Sequence, residues 1–449
     1  MSQKTGKTAL RREGGVKENG EAVPLAEAAR VWARIACLSF GGPAGQIALM
    51  HRVLVEERRW IGEARFLHAL NFCMLLPGPE AQQLATYVGW LMHGTRGALL
   101  AGVLFVLPGL FAIMALSFLY VLWGSAGPVE GLFFGLKAAV LAVVAQALVR
   151  IGGRALRGAM PVATALLAFF ALFLFGVPFP LVILAAVLVG ICRAGSVVGA
   201  EPDGQGLGGS GRPRGMATVA LATLALWLGP VLLLWLLAGE ASVFTQIGLF
   251  FAQMAVVTFG GAYAVLAYVA QQAVEHHGWL APGEMLDGLG LAETTPGPLI
   301  MVTQFVGFLA AYRNPGPLDP HLAAVLGGLL TTWVTFAPSF LWIFLGAPFV
   351  ERLRGNRMVA AALETVSAAV VGVIASLAVW FALHVLFGRV GETQWGPLAL
   401  PVPEWTSLDW ASLALAAVAA LGLFVFRLGV VTVLLGTAGL GVVWSLVSL

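Results

Sequence analysis

Glu80 directly follows Pro77-Gly78-Pro79 and is followed within a turn by Gln82 and Gln83, so a carboxylate and two amides lie where a helix must restart inside an apolar run. A restarting helix offers unpaired N–H groups and the positive end of its dipole, which suits a small oxyanion; the carbonyls ending the preceding half suit a cation. Pro79 fits the first helical position, where no N–H is wasted. Glu80 itself has two readings. A charge in lipid costs about 2.5–3.5 kcal/mol or more, so it faces a cavity and takes up a proton, or it is a carboxylate placed to favour the dipole. A second break lies upstream, where Ser39 and Phe40 precede Gly41-Gly42-Pro43; double glycine permits close backbone approach and unusual dihedrals.

Both breaks recur. Phe40-Gly41-Gly42 returns as Phe259-Gly260-Gly261, Trp60 as Trp279 and Pro77-Gly78-Pro79 as Pro296-Gly297-Pro298, all at one offset (259 − 40 = 219). Gly97, Pro108 and Ala138-Ala139-Val140 return as Gly327, Pro338 and Ala368-Ala369-Val370 at a larger one (338 − 108 = 230). The chain is therefore a duplicated unit whose second copy carries about eleven extra residues, placed near Arg313 to Pro320. Scaffold is shared and side chains are not. Thr258 stands for Ser39, and each hydroxyl either binds a ligand or bonds back to its own preceding turn. Leu299, Met301 and Val302 stand for Glu80, Gln82 and Gln83, with Thr294, Thr295, Thr303 and Gln304 nearby and Glu293 as a second proton-carrier candidate. Lys137, whose counterpart is Ser367, neutralises an anion, pairs with Glu80 or snorkels to the interface. The run His51, Arg52, Glu56, Glu57, Arg58, Arg59 and Arg65 is a solvated interfacial face or a positive vestibule. One such break reads as a kink or a packing site; four in matched positions read as a shared binding site.

Elements buried in lipid must position these residues. The chain is 59% apolar and 10% charged with mean hydropathy +0.90, against about 45–50% apolar and 25% charged in soluble proteins. It reads as an all-α integral membrane protein, with runs at 97–122, 130–150, 216–237, 322–346 and 428–447 near the roughly 20 residues a span needs; the alternation of a β-barrel is missing. Lys4, Lys7, Arg11, Arg12 and Lys17 lie in a polar stretch with no apolar core, which predicts a disordered cytoplasmic tail over 1–25 and no signal peptide. Net charge is only +3, which points to lipid headgroups as neighbours and away from nucleic acid. Cys37, Cys73 and Cys192 are too scattered for disulfides or a metal site and read as small hydrophobes. Only His276 and His277 are adjacent among the histidines, and no HExxH or GxSxG occurs. Gly6-Lys7-Thr8 has neither the earlier glycine nor the strand of a phosphate loop. These patterns point away from an enzyme, an ATP-driven pump, a metal or a cofactor.

Punctuation divides the chain into a first repeat over 26–193, a Gly/Ser/Pro linker over 194–215, an extra helix over 216–237 and a second repeat over 241–449. Arg150, Arg154, Arg157, Arg193, Arg212 and Arg214 mark one side as cytoplasmic. With one extra helix the second copy starts on the opposite side, which makes Arg352, Arg354 and Arg357 cytoplasmic and the Glu392 to Asp409 loop external. The copies are thus expected to be inverted-topology repeats with a cytoplasmic N-terminus, with about 13 spans if the broken segments cross the membrane and 9 if they are re-entrant hairpins. Gly131 and Gly135 form too common a pair to decide oligomeric state, a homodimer included.

The stretch Ser39-Phe40-Gly41-Gly42-Pro43-Ala44-Gly45-Gln46, then Trp60, Leu76-Pro77-Gly78-Pro79-Glu80-Ala81-Gln82-Gln83, Gly89 and Leu107-Pro108-Gly109, closely resembles the chromate ion transporter family in its long two-domain form. The likeness extends through Thr258-Phe259-Gly260-Gly261 and Thr295-Pro296-Gly297-Pro298. Many members resemble one another in a His shortly after the first double glycine, where this chain has Gln46. The resemblance implies a bacterial inner-membrane carrier that expels chromate, driven by the proton gradient or membrane potential, with sulfate as the structural analogue. Chromate is a tetrahedral dianion, so convergent half-helix ends with hydroxyl and amide donors match its oxygens. A carrier or passive channel for sulfate or another small anion is the alternative reading.

Overall fold

The computed structural model describes residues 23–124, 126–196, 216–259, 261–346, 357–396 and 398–448. Most of the expected tail and linker, Gly260, and the loop holding Arg352 and Arg354 lie outside the described residues. The first copy comprises α1 (Leu25–Cys37), α2 (Gly42–His51), α3 (Glu63–Cys73), α4 (Glu80–Trp123), α5 (Gly127–Ala155), α6 (Ala159–Phe173) and α7 (Phe179–Ser196). After α8 (Met216–Ala238) come α9 (Val243–Val257), α10 (Ala262–Ala270), α11 (Pro282–Thr294), α12 (Val302–Arg313), α13 (Pro320–Gly346), α14 (Arg357–Leu386), α15 (Trp410–Ala420) and α16 (Val430–Ser448). Among the described residues the sheet is limited to one antiparallel hairpin, β1 (Val390–Trp395) and β2 (Leu398–Pro403). It falls in the loop expected to be external.

Duplication extends to the backbone. α2 and α10 both run on into a π-helical turn, Arg52–Glu57 and Gln271–His276, at the offset of 219 (271 − 52). Two residues beyond each turn the chain takes a positive φ, +50° at Arg59 and +60° at Gly278. Trp60 N–H then donates back to Leu54 O at 2.8 Å, as Trp279 N–H does to Ala273 O at 2.7 Å.

The broken segments fold back on themselves as helical hairpins. Arg58, just past the π turn after α2, pairs at 3.5 Å with Glu27 in the first turn of α1, so the chain returns to the level at which it entered. α4 is two helices: His93 and Gly94 leave helical dihedrals, and 80–92 doubles back on 95–123. A Cβ at Gly89 or Gly97 would strike the other's carbonyl, which is what lets these two helices touch. His93 Nε2 at the end of the returning half lies 2.7 Å from Val23 O at the base of α1. In the second copy Arg313, at the end of α12, bonds Glu284 in the first turn of α11 at 2.8 Å. The half-helices run from about 14 Å for α10 to about 23 Å for α9 at 1.5 Å per residue, short of the roughly 30 Å hydrocarbon core.

The helix 95–123 gauges depth. Its start adjoins the bases of the first copy's hairpins through His93. Its middle, at Gly109, lies against Pro296 and Gly297 at a tip of the second copy. Tyr120 near its end donates at 3.0 Å to Asp287, in the half of α11 nearest that hairpin's base. The hairpin bases of the two copies therefore lie toward opposite ends of the helix 95–123, and their tips meet beside its middle. Six described helices are long and apolar enough to cross a membrane. Five shorter apolar helices accompany them, Ala159–Phe173, Phe179–Ala194, Val243–Val257, Leu299–Arg313 and Trp410–Val425, of which the third and fourth belong to the doubled-back segments.

The copies also interlock. α5 packs closely on α16, where Gly131 and Gly135 meet Gly441 backbone to backbone, so that glycine pair is spent inside the chain. Reciprocally, Gly372 of α14 lies against Ala165 of α6 and Gly190 of α7 against Ala362 of α14. The long helices α5 and α14 are thus each clasped by the other copy's terminal pair, and the hairpins hang from that frame.

Candidate functional site

All four breaks converge at the hairpin tips. Gly78 N–H donates to Thr258 O at 2.8 Å, and Gly297 N–H donates to Ser39 O at 2.9 Å. Gly78 and Gly297 are counterparts, as are Ser39 and Thr258, so these two bonds are one contact repeated about a two-fold axis. The geometry needs glycine: φ is +119° at Gly78 and +107° at Gly297, +74° at Gly42 and +98° at Gly261, with Gly41 at +79°. Side chains bearing Cβ are strained there. Pro79 and Pro298 are extended (ψ 99° and 134°) and cap their helices from one residue before the first helical position expected of them.

A small, partly open cavity of about 20 Å³ lies at the junction, room for about one water. Its walls are the first turns of all four returning halves: Pro43 and Gln46 of α2, Pro79 to Ala81 at α4, Gly261 and Ala262 at α10, and Pro298 to Ile300 ahead of α12. Helix starts carry about half a positive charge each, so four of them around one space make a positive potential from backbone alone. Neither Lys nor Arg lines the cavity; Glu80, the first residue of its helix, is the single carboxylate that does. Gln46 spans the junction, its Nε2 donating to Gly297 O at 2.6 Å.

Several predicted side chains have other employment. Ser39 Oγ donates to Ile35 O at 2.7 Å and Thr258 Oγ1 to Met254 O at 2.6 Å, each bonding back to its own helix. These two residues serve the junction through their carbonyls. Thr295 Oγ1 likewise donates to Ala292 O at 3.3 Å. Gln83 Nε2 donates to Pro77 O at 2.6 Å and braces that break, while Gln82 is fully buried with neither amide atom paired. Glu293 is buried and accepts from Tyr263 Oη, away from the cavity walls.

Lys137 lies elsewhere. Its Nζ is 3.3 Å from Asp287 Oδ2, which also accepts from Tyr120 Oη at 3.0 Å, in a network that continues to Glu284 and Arg313. It neither pairs with Glu80 nor lines the cavity. Asp287 was open to detection as an acid within the apolar run Met285 to Ala292. The charged run of the first copy is internally compensated, with His51 on Glu56 and Glu63, Arg52 on Glu57 and Arg58 on Glu27, as a solvated face would be.

The segments that build this junction lie within stretches that match a known family. A family model described as Chromate transporter matches residues 26–191 and 245–442, both copies with all four breaks. This chain belongs to the chromate transporter family. It is 35% identical over 350 residues to the chromate transport protein of Pseudomonas aeruginosa, covering 75% of this chain and 76% of that one. It is 28% identical to the probable chromate transport protein of Synechococcus elongatus (80% and 84% covered) and 29% identical to the chromate transport protein of Cupriavidus metallidurans (76% and 78%). No solved structure matches it. As a chromate transporter family member with six long apolar helices among the described residues it is a multi-pass membrane protein, and these relatives are named for transport.

Proposed function

We propose that this protein carries chromate out of a bacterial cell across the inner membrane and so confers chromate resistance, binding the oxyanion where the four hairpin tips meet. The observation that carries this reading is the convergence of four half-helix starts on one cavity without a cation in its walls. Such an array favours an anion whose oxygens accept backbone N–H groups, and a tetrahedral dianion offers four. Gly41, Gly42, Gly78, Gly261 and Gly297 let the backbone come close, and Pro79 and Pro298 aim the helices.

Transport proceeds by alternating access. At about one water's volume, the cavity admits an oxyanion only when tips separate. The symmetric bonds from Gly78 to Thr258 and from Gly297 to Ser39 supply two equivalent seams, one opened toward each face as the interlocked copies rock. With the arginine-bearing loops and the N-terminus cytoplasmic, efflux of a dianion from a negative interior is favoured by about 2.3 kcal/mol per charge per 100 mV. Glu80 exchanges a proton against the anion in the same cavity and couples efflux to the proton gradient. Radiolabelled chromate uptake into everted membrane vesicles, with sulfate as competitor, tests the proposal. Accumulation that collapses with the membrane potential is the expected result; equilibration without accumulation would mean a passive channel, and uptake of sulfate alone would change the cargo.

A further inference from the structure

The two-fold axis pairs each tip residue with a counterpart, so side chains that break the pairing stand out. Gly297 rests on Gly109 of α4, where an added Cβ would lie 3.0 Å from the Gly109 Cα. Gly78 rests in the matching place on α13, but there the counterpart of Gly109 is Ser339 (339 − 109 = 230). A Cβ added at Gly78 would lie 3.6 Å from Ser339 Oγ and 2.8 Å from Gln83 Nε2. One turn earlier on the same face of α13, Thr335 stands for Phe105 (335 − 105 = 230). Gln82 and Gln83 stand for Met301 and Val302. At these four positions the Gly297 side is apolar and the Gly78 side carries hydrogen-bonding groups, while the Gly297 side has instead Gln46 and Gln304, each with one amide nitrogen bonded to backbone and its oxygen unpaired.

Those groups are unspent. Gln82, Gln83, Thr335 and Ser339 are all fully buried, yet Ser339 Oγ, Thr335 Oγ1, Gln83 Oε1 and both amide atoms of Gln82 have no hydrogen-bond partner. Buried polar atoms in native proteins are nearly always paired with protein, water or ligand, and leaving one unpaired is destabilising. Several such atoms gathered beside a break, where the second copy manages with Met, Val, Phe and Gly, have no structural need to be polar.

We propose that Gln82, Gln83, Thr335 and Ser339 form a one-sided oxyanion station next to the central cavity, on the Gly78 side of the axis, and that the Ser339 hydroxyl donates directly to the anion. Uncharged donors suit a dianion that must also leave. This inference rests on the oxyanion reading above and specifies which side chains bind.

The test uses the full chain purified and reconstituted in liposomes, with chromate flux kinetics and chromate- or sulfate-induced shifts in melting temperature as separate readouts. Ser339→Gly and Gln82→Met copy the other repeat's residues, and Thr335→Val keeps the shape while removing a hydroxyl. Each is expected to raise KM for chromate about 10-fold, the loss of one hydrogen bond to a charged acceptor, and to shrink the anion-induced shift. Melting temperature without anion should hold or rise in Gln82→Met and Thr335→Val, since an unpaired polar group has gone, while Ser339→Gly, which places glycine inside a helix, is read by KM and the anion-induced shift alone. Unchanged KM and unchanged anion shift in all three variants would overturn the station while leaving the oxyanion reading intact. A lower anion-free melting temperature with unchanged KM would assign these residues to packing and overturn it too. If the wild-type chain neither transports nor is stabilised by either anion, both readings fall.

Discussion

Alanine placed at three of the tip glycines should produce a graded loss that follows their surroundings. Gly41 has φ +79° and nothing within 4 Å of an added Cβ, so Gly41→Ala pays only for left-handed backbone, about 1–2 kcal/mol. Gly78 has φ +119°, a region nearly restricted to glycine, at about 1–3 kcal/mol. Its Cβ also meets Gln83 Nε2 at 2.8 Å; that flexible amide swings away and gives up its bond to Pro77 O, about 1 kcal/mol more. Gly297, at φ +107°, meets Gly109 Cα at 3.0 Å and Gly109 N at 3.2 Å. Backbone cannot swing away. α4 must shift, adding about 1–3 kcal/mol of overpacking, and the bond from Gly297 to Ser39 O is stretched. The expected order of destabilisation is Gly41→Ala, then Gly78→Ala, then Gly297→Ala at about 4 kcal/mol. Melting temperatures of the three purified variants, read beside their chromate flux in vesicles, give the ranking. Equal losses at Gly41 and Gly297, or a worse one at Gly41, would refute the tip-to-helix contact on which the reasoning stands.

Glu80→Gln should abolish the pH dependence of chromate efflux while sparing chromate–chromate exchange at fixed pH; retained pH dependence removes Glu80 from coupling. Lys137→Met strips Asp287, which is 3% exposed, of its cation, and because Lys137 is itself 31% exposed the loss should fall between the about 1 kcal/mol of a surface pair and the about 3–5 kcal/mol of a buried one. Adding Asp287→Asn should restore most of it, as a double-mutant cycle on melting temperature would read. His277 is held below its ordinary value by burial and then by neighbouring His276. The unfolded chain thus takes up that proton more readily, and the stability contributed by neutral His277 is full above about pH 6.5 and declines as pH falls through it. His277→Gln should flatten that slope in melting-temperature profiles over this range, and an unchanged slope would dismiss the group.

Duplication and its four breaks were legible because glycine and proline inside apolar runs record backbone conformation in the letters themselves. Gly78 and Gly297 have φ within about 12° of each other, and that is the property the repeat preserves. Whether the broken segments cross or return was not legible, since the answer rests on contacts such as Arg58 with Glu27 and His93 with Val23 that no periodicity encodes. Hydroxyls beside the double glycines could bond outward or backward with the same sequence; a helix that ends at depth leaves carbonyls to satisfy, and Ser39 and Thr258 bond to them. Lys137 was visible as an intramembrane cation, but its partner lies 150 residues away in α11. Ser339 was hidden next to the repeated Pro338. The second offset aligns it with Gly109, and the change from glycine to serine acquires meaning only when the tip it touches is known.

An oxyanion held at the junction of the four tips would show itself in anomalous X-ray scattering at the chromium edge from crystals of the chromate-loaded protein. The predicted peak lies among Pro43, Gly78 to Ala81, Gly261 and Pro298, with the hairpins still re-entrant from opposite faces. A peak elsewhere in the membrane, or continuous helices running through the glycine and proline positions, would contradict the account.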